Sequence, residues 1–224
     1  MRQRLDIFLP IYITILITNY PDWNHLSHTT SLVRPRLILG GASIGDDQKT
    51  LAEVQVVLGT ALWLGIDEVD AGTLYSNFNG TLYSDFNMGA SEKLLGEAKT
   101  VSKGLSVDIK LFTTGNNNIM AILYAIRMSL DFSRKNLQLD GNQKINVLYC
   151  PAPDYRYSLE DQASALDELH KQGLFDKVCE CEGYVQPSVY QGPYNLVERR
   201  HEAIMPTLRK YGIRFDAQSL GVVW

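Results

Sequence analysis

Between Arg36 and Ala217 short apolar runs alternate with amphipathic stretches, and this alternation limits the fold more than any other feature. The run Arg36–Gly41 (RLILGG) reads as a buried strand stopped by glycines. Thr50–Leu64 carries Leu51, Val54, Val57, Leu58 and Leu62 at helical spacing, and Gly65 stops it. Ile66–Asp70 reads as a second strand, Glu92–Lys99 as a helix opened by Ser91, and Val107–Thr113 as a third strand. Ile119–Ser133 is a helix, Ile145–Tyr149 a strand, and Ser158–Lys171 a helix with a capping-box pattern at Ser158–Asp161. Val185–Tyr190, Glu198–Tyr211 and Ile213–Ala217 continue as strand, helix and strand. Such alternation specifies parallel strands joined by helical crossovers. Two architectures satisfy it, an open doubly wound sheet and a (β/α)8 barrel. The turn Gly40–Gly45 (GGASIG) lacks GxGxxG spacing, which removes the main sign of a dinucleotide-binding sheet.

The first 34 residues fall outside this pattern. Ile7–Thr18 is an apolar run containing Pro10, too short for a spanning helix but long enough for a signal-peptide core. Asp6 interrupts its charged flank and no small-x-small cleavage site follows. Residues 1–34 are therefore expected to form a non-domain extension with a linker, and residues 35–224 the domain, in a cytoplasmic protein. The net charge of −4 excludes a simple basic nucleic-acid binder, and Arg199-Arg200 is too short for a basic patch. Cys150, Cys179 and Cys181 offer three thiols without a fourth ligand, so no metal site is expected. Gly72–Asn79 (GTLYSNFN) is followed at once by Gly80–Asn87 (GTLYSDFN), a tandem duplication of the kind a loop absorbs.

In a barrel, chemistry gathers at the carboxyl ends of the strands. Asp70 ends the second strand, Tyr75 follows in the next loop, and Lys110 lies in the third strand. A tyrosine with pKa ~10 is a poor acid near neutrality. A neighbouring ammonium is expected to lower that value, and a carboxylate to hold the ammonium charged. A phenol tuned in this way can protonate a carbonyl oxygen. Tyr83 occupies the equivalent place in the second copy of the duplication; Tyr75 is preferred because the strand fixes its distance from Asp70.

Several ordered motifs add to this. Pro35–Gly45 (PRLILGGASIG), Ile66–Tyr75 (IDEVDAGTLY), Gly89–Gly96 (GASEKLLG), Leu148–Asp154 (LYCPAPD), Glu168–Phe175 (ELHKQGLF), Val189–Asn195 (VYQGPYN) and Leu208–Phe215 (LRKYGIRF) are similar to signatures of one family. The chain resembles the aldo-keto reductases, in particular the aflatoxin-aldehyde-reductase-like branch, over roughly Pro35–Gly221. The resemblance implies a (β/α)8 barrel, NADP(H) as cofactor, and reduction of a small-molecule aldehyde or ketone to an alcohol, a chemistry that fungal secondary metabolism uses. It assigns Tyr75 as proton donor, Lys110 as its partner, Asp70 as the partner of the lysine, Gln191 as a nicotinamide contact and Ser219 as a neighbour of the pyrophosphate.

The same resemblance shows departures. Pro151 stands where the family has a histidine that orients the substrate carbonyl, and Gln218 where a tyrosine stacks on the nicotinamide. Lys177-Val178 runs directly into Cys179–Val185, without the usual end of strand five and its helix. Only 190 of the 224 residues follow Arg34, against the roughly 250 typical of such a barrel. The expectation is an incomplete barrel lacking the strand-five loop and helix region and strand eight. Its function is then that of a reductase, or of a catalytically impaired remnant acting as a binding protein.

Overall fold

The structure, a computed structural model, describes residues 13–17, 36–75, 88–111, 123–151, 157–178, 187–195 and 197–218. The elements are β1 (Ile13–Ile17), β2 (Arg36–Gly40), α1 (Leu51–Trp63), β3 (Glu68–Asp70), α2 (Ala90–Glu97), β4 (Ser106–Lys110), α3 (Leu123–Asn136), β5 (Ile145–Tyr149), α4 (Leu159–Lys171), β6 (Phe175–Val178), β7 (Val189–Pro193), α5 (Met205–Lys210) and β8 (Arg214–Gln218). A single turn of 3-10 helix precedes β4 and another leads into α5.

Local chemistry sets these boundaries. Thr50 caps α1 in a reciprocal capping box with Glu53, satisfying two otherwise unpaired backbone donors. Val54, Val57, Leu58 and Ala61 bury one face of α1, the spacing of a helix laid on a sheet. Leu51 and Leu62, counted in the same apolar set from sequence, are exposed instead. Ser158 caps α4, as its position before Asp161 predicts. Ser91 is not the cap of α2: Gly89 takes that place, and the buried Ser91 hydroxyl donates to the Gly41 carbonyl at 2.9 Å.

The eight strands lie in the order β6-β5-β4-β3-β2-β1-β8-β7. Adjacent pairs from β2 to β6, and β7 with β8, are parallel. The two ends of the sheet approach each other where the Ser188 N–H donates to the Val178 carbonyl at 2.9 Å. Strand five itself forms as β6, directly after α4, with Phe175 and Val178 buried in the core. Residues 179–186, between β6 and β7, lie outside the described residues. One expectation changes here, that residues 1–34 lie outside the domain. Their segment Ile13–Ile17 joins the sheet as β1, antiparallel to both neighbours, with Ile15 opposite Leu37 on β2 and Ala217 on β8. In a (β/α)8 barrel the eighth parallel strand stands between the seventh and the first, and β1 lies in that gap. Two strand edges left open would expose rows of unpaired amides and carbonyls, and a β-branched segment of this length satisfies both.

Alternation along the strands divides the side chains into two sets. Leu39, Val69, Val107, Ile109 and Leu148 face the helices and form the main core with Val54, Leu58, Leu95, Leu130, Leu166 and Leu169. Phe215 and Ala217 make a smaller core with Met205 and Leu208 of α5. The opposite set turns inward. It carries Glu68 and Asp70, Asp108 and Lys110, Tyr149, Gln191, and Arg214, Asp216 and Gln218. Val147, Tyr149 and Val189 form a small apolar cluster among them.

Candidate active site

The carboxyl ends of β3 and β4 place Asp70 and Lys110 side by side, since Asp70 is in register with Asp108 two residues before Lys110. The β2 end packs against β3 so closely that the Gly41 N–H donates to the Asp70 carbonyl at 2.7 Å. A Cβ on residue 41 would lie 2.7 Å from that carbonyl, so only glycine fits there. Beyond Asp70 the chain turns, with the Tyr75 N–H donating to the Gly72 carbonyl at 3.0 Å, and Tyr75 folds back over the strand ends.

This turn is held by a buried carboxylate. Glu92 on α2 accepts from the hydroxyls of Thr73 (3.1 Å) and Ser133 (2.7 Å) and from the Asn136 amide (3.1 Å). The Gly89 N–H also donates to the Thr73 carbonyl at 2.9 Å. Burial pushes the Glu92 carboxyl up, and the three donors offset part of the rise.

Three donors converge on Asp70. Tyr75 Oη donates to Oδ2 at 3.1 Å, Gln191 Nε2 donates to the same oxygen at 3.2 Å, and Lys110 Nζ makes a short ion pair with Oδ1. Gln218 Nε2 donates to Gln191 Oε1 at 2.9 Å, which extends the cluster to β8. The Lys110 ammonium also lies 5.1 Å from the Tyr75 ring centroid and 4.7 Å from that of Tyr149. Burial opposes the charge on Lys110, but Asp70 and then Tyr75 outweigh it and hold the ammonium above its usual value. The tyrosine behaves otherwise than its motif suggests. Burial pushes the Tyr75 phenol up, the Asp70 carboxylate pushes it further, and Lys110 pulls it back only in part, leaving it well above the ordinary 10.0. The expected lowering is overturned because the phenol is buried and, next in weight, a carboxylate 3.1 Å from the hydroxyl repels the phenolate.

Below this cluster the lumen is charged. Tyr149 Oη donates to Asp216 Oδ2 at 2.6 Å. Arg214 grips Asp216 through both oxygens, at 2.8 and 2.9 Å, and donates to Glu68 at 2.9 Å. Asp108 Oδ1 accepts from Asn146 Nδ2 at 2.7 Å and from the Val147 N–H at 3.2 Å, while buried Oδ2 meets no donor. Burial, then Glu68 and Asp70, push Asp108 well above the usual carboxylate range. The charged form of Asp108 is disfavoured in a lumen where carboxyl groups outnumber cations.

Of the five residues singled out from sequence, Asp70, Tyr75, Lys110 and Gln191 come together in one cluster. Ser219 lies outside the described residues, as do Tyr83 and the second copy of the duplication. Pro151 is exposed and brings no side-chain donor to the cluster. Sequence reasoning missed Tyr149, which period-two counting along β5 places on the lumen side with Val147. Among the described residues no group of His, Cys, Asp and Glu is arranged to hold a metal. The carboxamides of Gln191 and Gln218 each combine a donor and an acceptor beside Asp70, a set that fits the amide of a nicotinamide.

An acid, a phenol and an ammonium gathered at the carboxyl ends of parallel barrel strands form a site suited to proton transfer at a polar double bond. The profile of the aldo/keto reductase family matches residues 36–220, and the chain belongs to that family. Aflatoxin B1 aldehyde reductase member 4 of Homo sapiens is 29% identical over 213 residues, covering 86% of this chain and 59% of the relative. Oxidoreductase sirO of Leptosphaeria maculans is 30% identical over 213 residues, covering 83% and 59%. The chain thus spans about three-fifths of the length of these relatives. Among solved structures, the holo form of aldo-keto reductase AKR11C1 from Bacillus halodurans superposes with a TM-score of 0.63 at 18% identity, over 83% of this chain and 62% of that one. That likeness supports the barrel fold.

Proposed function

We propose that the chain is an NADP(H)-dependent carbonyl reductase that converts a small aldehyde or ketone to an alcohol. The observation that carries this reading is the convergence of the Tyr75 hydroxyl and the Lys110 ammonium on Asp70 at the strand ends. Gln191 and Gln218 would hold the nicotinamide amide. A reduced nicotinamide, when bound, supplies the hydride.

The chain's own residues supply the proton. Tyr75 keeps its proton across the working pH range, so the hydroxyl is a donor throughout. A carbonyl oxygen placed against Oη takes that hydrogen bond from Asp70. As negative charge grows on the oxygen, the proton moves from Oη to it, and the phenolate left behind faces the Lys110 ammonium. Asp70 keeps the ammonium charged at the start of each cycle. Pro151 brings no second donor to the carbonyl. Losing one oriented donor costs about 2.7–4 kcal/mol of transition-state stabilisation, so turnover is expected to be slow, by about 10²–10³.

The test is NADPH oxidation by the purified protein across small aldehydes and ketones. Turnover that falls by about 10²–10⁴ in Tyr75→Phe supports the reading; absence of carbonyl-dependent oxidation refutes it. A second reading, a binding protein of the same descent, is favoured by Pro151. NADPH fluorescence quenching without turnover would identify it. Among the described residues no helix is long and apolar enough to cross a membrane, and a cytoplasmic site of action belongs to the same proposal. A place in fungal secondary metabolism, which the family resemblance allows, belongs to the same proposal.

A further inference from the structure

The reductase reading uses Asp70, Tyr75 and Lys110 but leaves Tyr149 without a role. Its side chain is 4% exposed and its ring centroid lies 4.7 Å from Lys110 Nζ. Its hydroxyl donates to Asp216 at 2.6 Å, and Arg214 grips Asp216 through both oxygens. The phenol is therefore fixed at its polar end and presents its ring to the ammonium.

We infer that Tyr149 is a positioning residue for Lys110: its ring, anchored through Asp216 and Arg214, holds the ammonium in the place from which it serves Tyr75. A lysine stem has four rotatable bonds, and the ion pair with Asp70 restrains the amine from the β3 side alone. The negative face of an aromatic ring attracts a cation, most strongly where water is excluded. Tyr149 supplies that second restraint from β5. The groups facing the amine are Asp70 on β3, Tyr75 in the turn after it and Tyr149 on β5. Asp108, two residues away on the same strand, is held by Asn146 and Val147. The inference rests on the reductase reading for the task Lys110 performs, but the placement of the amine can be measured without it.

The experiment compares Tyr149→Phe with Tyr149→Leu. Both remove the hydroxyl and leave Asp216 to Arg214, so the difference between them isolates the ring. Tyr149→Leu is expected to lower kcat about tenfold or more, the ratio a desolvated cation–π contact is worth, with KM for the carbonyl within about threefold. Tyr149→Phe is expected to recover at least a third of the wild-type kcat. In parallel, trace acetylation of the Lys110 amine is read by peptide mass spectrometry from pH 7 to 10. Tyr149→Leu is expected to label several-fold faster than wild type and Tyr149→Phe, with its profile displaced to lower pH. Where Tyr149→Leu fails to fold, 3,4,5-trifluorophenylalanine at 149 keeps the ring shape while cancelling its negative face, and it is expected to behave as leucine should. Equal behaviour of the phenylalanine and leucine variants, or of the fluorinated and plain rings, overturns the inference. A wild type without turnover that still shows the labelling contrast supports the inference and overturns the reductase reading.

Discussion

Replacing Asp70 by asparagine tests the cluster most directly, because it removes one charge and almost no volume. The Asp70 side chain is 3% exposed and that of Lys110 17%. Breaking a buried ion pair by removing one partner costs about 3–5 kcal/mol, since the other charge stays buried and uncompensated. The partial exposure of Lys110 and the oxygen that asparagine retains bring the expected loss to about 2–3 kcal/mol at pH 7. In a chain of this size that corresponds to a fall in Tm of roughly 5–10 °C. The pH dependence carries the sharper signature. In the wild type the folded Lys110 pKa lies above its unfolded value, so its stabilisation is fully present below about pH 10.4 and is lost only at higher pH. In Asp70→Asn burial dominates and the folded pKa falls below the unfolded one, so the variant is penalised at low pH and relieved as pH rises. The stability gap should therefore narrow between pH 7 and pH 10.5. Urea denaturation at both pH values measures it. A loss under about 1 kcal/mol, or a gap unchanged with pH, would refute the electrostatic account.

Three other outcomes are expected from the same packing. Gly96→Ala would drive a Cβ into the backbone at Asn136 and Leu137, and a cost of about 1–3 kcal/mol is expected by chemical denaturation. Asp108→Asn should stay within about 1 kcal/mol of wild type at pH 7, because burial and the neighbouring carboxylates already push the acid well up; Arg214→Met, which leaves Asp216 with the Tyr149 hydroxyl alone and Glu68 with Arg36, should cost about 3 kcal/mol. Equal effects from the two would contradict the charge balance assigned to the lumen. Ile15→Pro removes a ladder donor from a strand paired on both sides, and a loss of about 3 kcal/mol with earlier proteolysis near the amino terminus is expected.

Much of the cluster is legible in the amino-acid order. Asp70 ends one strand of a parallel sheet, Lys110 lies in the next, and the five-residue step to Tyr75 leaves room for a single turn. Such features are local: periodicity and turn length set them within a few residues. Tyr149 is harder to see, because on its own strand it reads as one more apolar residue of Ile145–Tyr149. Its bond to Asp216 spans 67 positions, and no local pattern announces a partner that distant. The direction of the Tyr75 shift is hidden for a related reason. The motif names a lysine as neighbour, but burial of the phenol and then the Asp70 carboxylate outweigh it, and both follow from packing rather than from the motif.

The sequence by itself determined the strand and helix alternation, the Gly65 stop of α1 and the Ser158 cap of α4, and the placing of an acid and an amine on adjacent strands, because each depends on short-range sterics and side-chain period. Only the tertiary structure decided that Ile13–Ile17 lies between β2 and β8, that Gln191 reaches Asp70, and that Arg214 pins Asp216 beneath the lysine. Those outcomes depend on which strand edges and which charges closure of the sheet brings together, and closure is a property of the whole chain rather than of any segment in it.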